Sequence, residues 1–293
     1  MKGGSSGMSR RLALLSVSAA AAVLTAGCFG GPAAPARLVL GTTTSVNDSG
    51  LLNFLLPDFE AKNHARVSVV AVGSGQALEL GKRGDADVLI VHSPAAELAY
   101  LSNGSGASRF QIMYNYFAIV GPLSDPAGVG KATSAGDAFA RIAANSSAFV
   151  SRGDGSGTHS KELQIWAAEG LNATAFPSAW YKSIGQGMAA ALRTAFELGA
   201  YALTDEGTYW SRDEIGPAAP GGLHILLGGL GHPTPDLKNT YSVIQLNVSR
   251  VPSVNASLAT AFALWVTSPE TAARIGNYTV AGHTLFFPDP RRT

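Results

Sequence analysis

Residues 67–78 have the sequence Val-Ser-Val-Val-Ala-Val-Gly-Ser-Gly-Gln-Ala-Leu, and this stretch decides the fold. Its β-branched run predicts a strand, its glycines a tight turn, and the residues after them a helix. The same order of strand, turn and helix recurs around Thr42–Ser45, Ser151–Thr158 and Gly185–Met188. Strands that alternate with helices in this way predict an α/β fold with parallel strands covered on both faces.

The four turns share glycine and hydroxyl residues at the point where a helix is predicted to begin. The first turn of a helix leaves backbone N–H groups without partners and carries the positive end of the helix dipole. One of the turns adds a full positive charge, Arg152. Ordinary helix N-caps have the same composition, so a single turn of this kind would not indicate an anion-binding site. Four of them together predict a binding site for a small anion.

The order of the elements predicts two lobes joined by two crossover strands. The strand predicted at residues 114–121 leaves the first lobe, and the strand at residues 241–247 returns to it. We therefore place the first lobe at residues 38–118 and 240–293 and the second at residues 119–239. All four turns then follow the carboxyl ends of strands, where open α/β sheets bind ligands, so the expected site is the cleft between the lobes.

The N-terminal segment has the pattern of an export signal. Basic residues precede an apolar run from Leu12 to Leu24, whose length of about 13 residues is too short for a bilayer span of about 20. The residues before Cys28, the only cysteine, resemble the lipobox of secreted lipoproteins. We predict a signal peptide at residues 1–27, lipid attachment at Cys28 and a flexible linker over residues 28–37. A cleaved signal without lipid attachment is the alternative.

Asparagine usage also indicates a protein outside the cell. Of the 11 asparagines, seven begin an Asn-x-Ser/Thr triplet, where chance gives about two. Such triplets are acceptors for N-glycosylation. We therefore expect a glycoprotein on the cell surface, held to the outer face of the membrane by lipid, with these candidate acceptors: Asn47, Asn103, Asn145, Asn172, Asn247, Asn255 and Asn277.

Other functional classes explain less of the chain. A formal net charge of +1 argues against nucleic-acid binding, which needs basic patches. The turn at Gly185 matches G-x-G-x-x-A with Asp205 at dinucleotide-fold spacing, but residues 180–184 predict only a poor strand. The Ser156 turn lacks the glycines of a nucleophile elbow, and the six histidines lack close i, i+4 spacing. An exported hydrolase that uses His159 remains the competing alternative.

The sequence segments around the turns resemble those of a known family. They are Thr42-Thr43-Thr44-Ser45, Val72–Leu78, Gly84–Leu89, His92-Ser93-Pro94-Ala95-Ala96-Glu97, Met113-Tyr114-Asn115, Ser151–His159, Gly185–Met188 and Thr204–Tyr209. Together they are similar to the substrate-binding lipoproteins of tungstate ABC transporters, of the Tup type. The resemblance implies a type II periplasmic-binding-protein fold whose two lobes close on an oxyanion. It also implies no enzymatic activity, no cofactor or metal, a monomer, and delivery of the oxyanion to a permease and an ATPase.

The resemblance assigns ligand-binding residues by position. The first lobe supplies Thr43, Thr44, Ser45 and Ser74, and the second supplies Arg152, Thr158 and the backbone near Gly187 and Met188. Two positions depart from the family pattern. Asn47 creates a glycosylation triplet inside the first turn, which we predict to be unmodified. Ala189 stands where the family more often has glycine.

Protonation narrows the choice of anion. Tungstate and molybdate carry no proton at neutral pH and need only donors, whereas phosphate keeps a proton and needs an acceptor. The candidate acceptors Asp48 and Asp154 are predicted to bind backbone N–H groups at helix starts instead. Phosphate or sulfate remains the alternative ligand. Only the resemblance favours tungstate over molybdate.

Overall fold

The computed structural model of the chain describes Met1 and residues 34–292. The predicted signal peptide, Cys28 and most of the predicted linker therefore lie outside the described residues. Within residues 34–292, none of the helices combines the length and the apolar composition needed to cross a membrane.

The sheet of the first lobe is built on parallel strands rich in β-branched residues. Strand β1 (Ala36–Thr43) lies between β2 (Ala65–Val72) and β3 (Val88–Val91), and all three run in parallel. Strand β9 (Lys238–Leu246) is antiparallel to β3 on its other side. The stretch that decides the fold therefore forms β2 and the start of the following helix.

One long strand, β4 (Gly106–Pro122), belongs to both lobes. Its first part pairs with β9 and with β12 (Phe287–Arg292), and its last residues pair with β7 (Tyr201–Asp205) and β8 (Leu223–Gly228). Two short strands extend the sheet of the second lobe beyond β7. They are β5 (Phe149–Ser151) and β6 (Tyr181–Ser183), both parallel to it in the order β7-β5-β6.

Ten α-helices connect and cover the strands in the described part of the chain: α1 (Thr44–Asp48), α2 (Leu51–Asn63), α3 (Ser74–Arg83), α4 (Pro94–Ser102), α5 (Ala135–Ala144), α6 (Gly157–Ala168), α7 (Met188–Leu198), α8 (Glu206–Trp210), α9 (Ala256–Val266) and α10 (Pro269–Gly276). Three 3₁₀ turns (Val129–Lys131, Ala173–Ala175, Pro235–Leu237) and a hairpin of β10 (Thr279–Val280) and β11 (His283–Thr284) complete the fold.

Each lobe has its own apolar core. In the first lobe, Phe59 of α2 packs edge-on against Phe262 of α9, with ring centroids 5.1 Å apart. In the second lobe, Trp166 of α6 lies 4.3 Å from Phe139 of α5 and is fully buried. The helices that follow the binding turns are thus packed within the lobe that carries them.

The predicted two-lobed α/β fold with crossover strands is confirmed. Residues 180–184, predicted to be a poor strand, contain the three-residue edge strand β6, which is held by its parallel register with β5. Strands β8, β10, β11 and β12 were not predicted. The lobe boundaries at residues 118/119 and 239/240 remain a prediction.

Candidate functional site

The first-lobe turn after β1 clusters hydroxyl groups. Thr43 and Ser45 are both buried, and their hydroxyl oxygens lie 3.2 Å apart. Thr44 is partly buried beside them. Helix α1 has only five residues, so this turn offers side-chain hydroxyls rather than the dipole of a long helix.

The second first-lobe turn brings Ser74 to the same region. Gly73 caps α3, and Ser74 is its first residue, almost fully buried. The backbone N–H of His92 points to Ser74 Oγ at 3.5 Å, a long contact that leaves the hydroxyl able to bind another group.

The second lobe contributes the predicted cation. Arg152 is only 4% exposed, and its Nη2 and Nε donate to Asp154 Oδ2 at 2.6 and 3.1 Å. The other carboxylate oxygen of Asp154 accepts the N–H of Ser156 at 3.1 Å. Burial opposes ionisation of Asp154, but the bonds from Ser156 and the charge of Arg152 hold its pKa below the ordinary value.

The third turn (Ser151–Thr158) lies against the residues that lead into the fourth turn (Gly185–Met188) at Gly153. Gly153 has a φ of +64°, and a Cβ there would lie 2.0 Å from Ser183 Oγ, so a side chain has neither the conformation nor the space. The N–H of Gln186 donates to the carbonyl of Arg152 at 3.1 Å. Gly187 then caps α7, and Met188 begins it. The two turns of the second lobe thus form one surface.

Thr158 lies at the start of α6 with a hydroxyl that has no partner. Ser156 caps this helix by accepting the N–H of His159 at 3.3 Å. Thr158 is 2% exposed, and its Oγ1 makes no hydrogen bond to any described residue. A buried hydroxyl without a partner costs free energy, so its position indicates a site for an acceptor.

The lobes meet at these turns. A Cβ on Gly73 of the first lobe would lie 3.4 Å from Ser156 Cα of the second. A Cβ on Gly157 would lie 2.7 Å from Cε1 of His92. The structure therefore brings the predicted turns of both lobes together, as the cleft hypothesis requires.

His92 is a site residue that the sequence analysis missed. Its ring is 6% exposed, its Nδ1 lies 2.9 Å from Asn239 Oδ1, and its Nε2 lies 3.5 Å from Ser45 Oγ. Burial, with a smaller contribution from the charge of Arg152, lowers the pKa of His92 to about 4, although the bond to Asn239 opposes this. The segment His92–Glu97 is part of the family resemblance, but the spacing of histidines in the sequence tests them only as metal ligands.

The candidate residues of the hydrolase and dinucleotide-fold alternatives make other contacts. His159 Nδ1 accepts the N–H of Gly155 at 3.0 Å, and Ser156 Oγ caps α6, so this pair makes no side-chain hydrogen bond. Both oxygens of Asp205 accept from Thr208 at 2.9 Å, which caps α8. Within residues 34–292, no group of three or more His, Cys, Asp or Glu residues could hold a metal ion.

The two candidate acceptors of a ligand proton differ from each other. Asp154 binds a backbone N–H at a helix start, as predicted. The corresponding prediction for Asp48 is wrong. It is the last residue of α1, it is exposed, and it accepts from the Asn47 side chain at 3.2 Å. The reason is that α1 begins at Thr44, five residues earlier than a helix capped by Asp48 would.

A sequence profile described as a PBP superfamily domain matches residues 30–270. The chain belongs to the PBP superfamily. This superfamily member is 46% identical, over 90% of its length and 75% of the relative's, to a Haloferax volcanii protein named for ABC-transporter anion binding. It is 41% identical to the tungstate-binding protein TupA of Peptoclostridium acidaminophilum, over 87% of each protein.

Solved structures agree with these sequence relatives. The structure of the tungstate-binding protein TupA from Desulfovibrio alaskensis G20 superposes on this PBP-superfamily chain with a TM-score of 0.73 at 41% identity. The superposition covers 87% of this chain and 99% of the other. The predicted resemblance to the Tup type is confirmed, and these relatives are binding proteins rather than enzymes.

Proposed function

We propose that this protein is the extracytoplasmic solute-binding component of an ABC transporter and that it captures tungstate, with molybdate as a second ligand. The orphaned hydroxyl of Thr158 carries the proposal, because Thr158 follows Gly157, which lies against His92 of the first lobe, in the same turn as Arg152. A buried oxyanion is tolerable only when it is multiply hydrogen-bonded. The relatives named for tungstate binding support the same ligand.

The proposed ligand shell draws on both lobes. Hydroxyl groups and one guanidinium supply side-chain donors, and the start of α7 supplies backbone N–H groups. The proposed ligands are Thr43, Thr44, Ser45, Ser74, Arg152, Thr158, Gly187 and Met188. Gly187 is exposed at the start of α7, where helix N–H groups lack partners within the helix.

The hydrogen-bond roles favour an anion without a proton. Asp154 was the candidate acceptor for the proton of phosphate, and both of its oxygens are engaged, one by Arg152 and the other by the Ser156 N–H. Phosphate would have to share Oδ1 with the Ser156 N–H, because Oδ2 already accepts two bonds from Arg152. Sulfate carries no proton, so these hydrogen bonds do not discriminate against it. Discrimination against sulfate must instead come from the dimensions of the ligand shell.

Membrane attachment and assembly complete the proposal. Lipid on Cys28 would hold the protein at the outer face of the membrane, where it would act as a monomer and deliver its anion to a permease and an ATPase. Intact-mass measurement of native protein tests the anchor: a mass matching cleavage before Cys28 plus a diacylglyceryl group supports it, and an unmodified cysteine contradicts it.

N-glycosylation is proposed for triplets that are exposed and away from the cleft. Asn103, Asn145, Asn172 and Asn277 are exposed in the structure, whereas the Asn255 side chain caps α9 by accepting the N–H of Leu258. Native protein should lose mass on deglycosylation, and glycopeptides should come from the exposed triplets outside the site. An unshifted mass would end the proposal.

Thermal unfolding tests the ligand assignment. A ligand that binds only the folded state raises the melting temperature with its concentration. Tungstate should do so, and Thr158→Val should reduce the effect because its methyl group cannot donate. Thr260→Val on the exposed face of α9 is the matched control and should respond like the wild type. A response to sulfate or phosphate without one to tungstate would reject the proposal.

A further inference from the structure

The buried charges of the site do not balance a dianion. Arg152 is the buried cation of the ligand shell, and Asp154 carries the opposite charge 2.6 Å from it. A doubly charged oxyanion placed against this neutral pair would lack compensating charge. Because burial of an underpaired charge is costly, a further positive charge would strengthen binding at this site.

His92 can supply that charge, and the hydrogen bonds around it fix its neutral form. Asn239 Nδ2 donates to Asn115 Oδ1 and to the hydroxyl of Tyr241, each at 2.8 Å. The Oδ1 of Asn239 therefore faces His92 Nδ1 at 2.9 Å, and with this amide orientation Nδ1 carries the proton. In the neutral ring, Nε2 then has no proton and presents a lone pair.

That lone pair faces the ligand shell. Nε2 lies 3.5 Å from Ser45 Oγ, a proposed ligand, and the ring lies against the Cα of Gly157 at the start of α6. An anion without a proton offers only acceptors, so a lone pair directed at it repels. A protonated ring would donate from Nε2 and attract.

We propose that His92 takes up one proton when the dianion binds and donates it from Nε2 in a hydrogen bond to the anion. The inference rests on the proposed function and identifies a further residue of the same site. The proton comes from the buffer, which loses it as the imidazole becomes an imidazolium; no other bond forms or breaks. The anion then meets two cations, Arg152 and His92, rather than one.

The neighbouring charged groups define the competition for that proton. Arg152 opposes protonation of His92 in the unliganded arrangement. Lys161 and Lys238 line a cavity of about 260 Å³ that His92 also lines. Asp205 is the rival proton acceptor, because it is fully buried and burial raises its pKa. The dianion itself is the charge that favours the imidazolium.

Calorimetry measures the proton directly. Tungstate is titrated into the wild type near pH 7 in buffers that differ in ionisation enthalpy, and the slope of the observed enthalpy gives the number of protons bound. We expect uptake of about half to one proton, since a group that is neutral before binding becomes charged. Binding with a slope of zero overturns this inference alone. Absence of tungstate binding rejects the proposed function, and this inference with it.

Variants assign the proton to a residue. His92→Gln should bind more weakly and lose the buffer dependence, whereas the control His224→Gln, outside the ligand shell, should keep the wild-type slope. Retention of the full slope in His92→Gln would place the proton elsewhere and overturn the inference. Nitrogen chemical shifts of the wild-type His92 ring give a second readout: tungstate should move Nε2 from an unprotonated to a protonated value while Nδ1 stays protonated, and an unchanged Nε2 contradicts the proposal.

Discussion

Gly157 of the second lobe lies against the imidazole ring of His92 in the first, so closely that a Cβ on Gly157 would be 2.7 Å from His92 Cε1. The contact joins the start of α6 to the residue that follows β3. Since Asn239 and Tyr241 hold the ring from the other side, it cannot move away freely. Closure of the lobes therefore depends on the absence of a side chain at Gly157.

Gly157→Ala should hold the lobes apart. The added methyl group would collide with a fixed ring, so we expect the dissociation constant for tungstate to rise at least about tenfold, an effect of about 1.4 kcal/mol or more. Solution scattering in the presence of tungstate should show a less compact protein. Gly231→Ala, whose Cβ would contact nothing within 4 Å, is the control. Equal affinity and compactness in both variants would contradict a closure role for Gly157.

Arg152→Ala should weaken binding severely. Removing the guanidinium leaves the anion underpaired and also leaves Asp154 without its partner in the site, so we expect a loss of about 10² to 10³ in affinity. Arg141→Ala, which breaks a comparable Arg–Asp pair at the surface of α5, is the matched control and should bind normally. Calorimetry that finds unchanged affinity for Arg152→Ala would remove this residue from the site.

Glu162 should make the protein less stable as the pH rises. Burial raises the pKa of this carboxyl to about 7, although bonds from Tyr181 and Trp166 oppose the shift. The folded state then holds a proton that the unfolded chain loses above its ordinary pKa. Stability from this group is therefore complete below about pH 4.5, falls as the pH rises to about 7, and is level above that value.

The variant Glu162→Gln isolates this effect. Relative to the wild type, its free energy of unfolding should rise by about 1 to 3 kcal/mol between pH 5 and pH 8, because the amide cannot ionise. Taking the difference between the two proteins cancels the opposite pH dependence of His92, whose lowered pKa favours the folded state as the pH rises. Glu197→Gln on the exposed side of α7 should show no such trend. A pH-independent difference for Glu162→Gln would contradict the buried-acid account.

The binding turns were predictable because their signals are local. A β-branched run, a glycine turn and a helix start are written in consecutive residues, as in β2, Gly73 and α3. The strands that were missed or only weakly predicted lack such signals. Strand β12 contains two prolines and is defined by its partner β4, and β6 exists because Phe149 begins a neighbouring strand in register with Tyr181.

His92 could not be predicted as a site residue for a different reason. Its role follows from contacts with Gly157 and Asn239, which are far away in sequence and come together only when two lobes and a crossover strand meet. The pairing of Arg152 with Asp154 could not be predicted from the sequence either, because side chains two positions apart in a turn have no fixed relative direction. Residue types at turns indicated an anion, but the charge balance of the site required the three-dimensional structure.

The most direct test of the account is calorimetric titration of the wild-type protein with tungstate, molybdate, sulfate and phosphate under one set of conditions. A shell of hydroxyl, guanidinium and backbone donors, with both oxygens of Asp154 already engaged, should bind tungstate tightly with one site per chain. Phosphate should bind more weakly, because Asp154 is already paired with Arg152 and Ser156, and a phosphate proton donated to Nε2 would keep His92 neutral. Binding of phosphate or sulfate as tight as that of tungstate, or no binding of tungstate, would contradict the account.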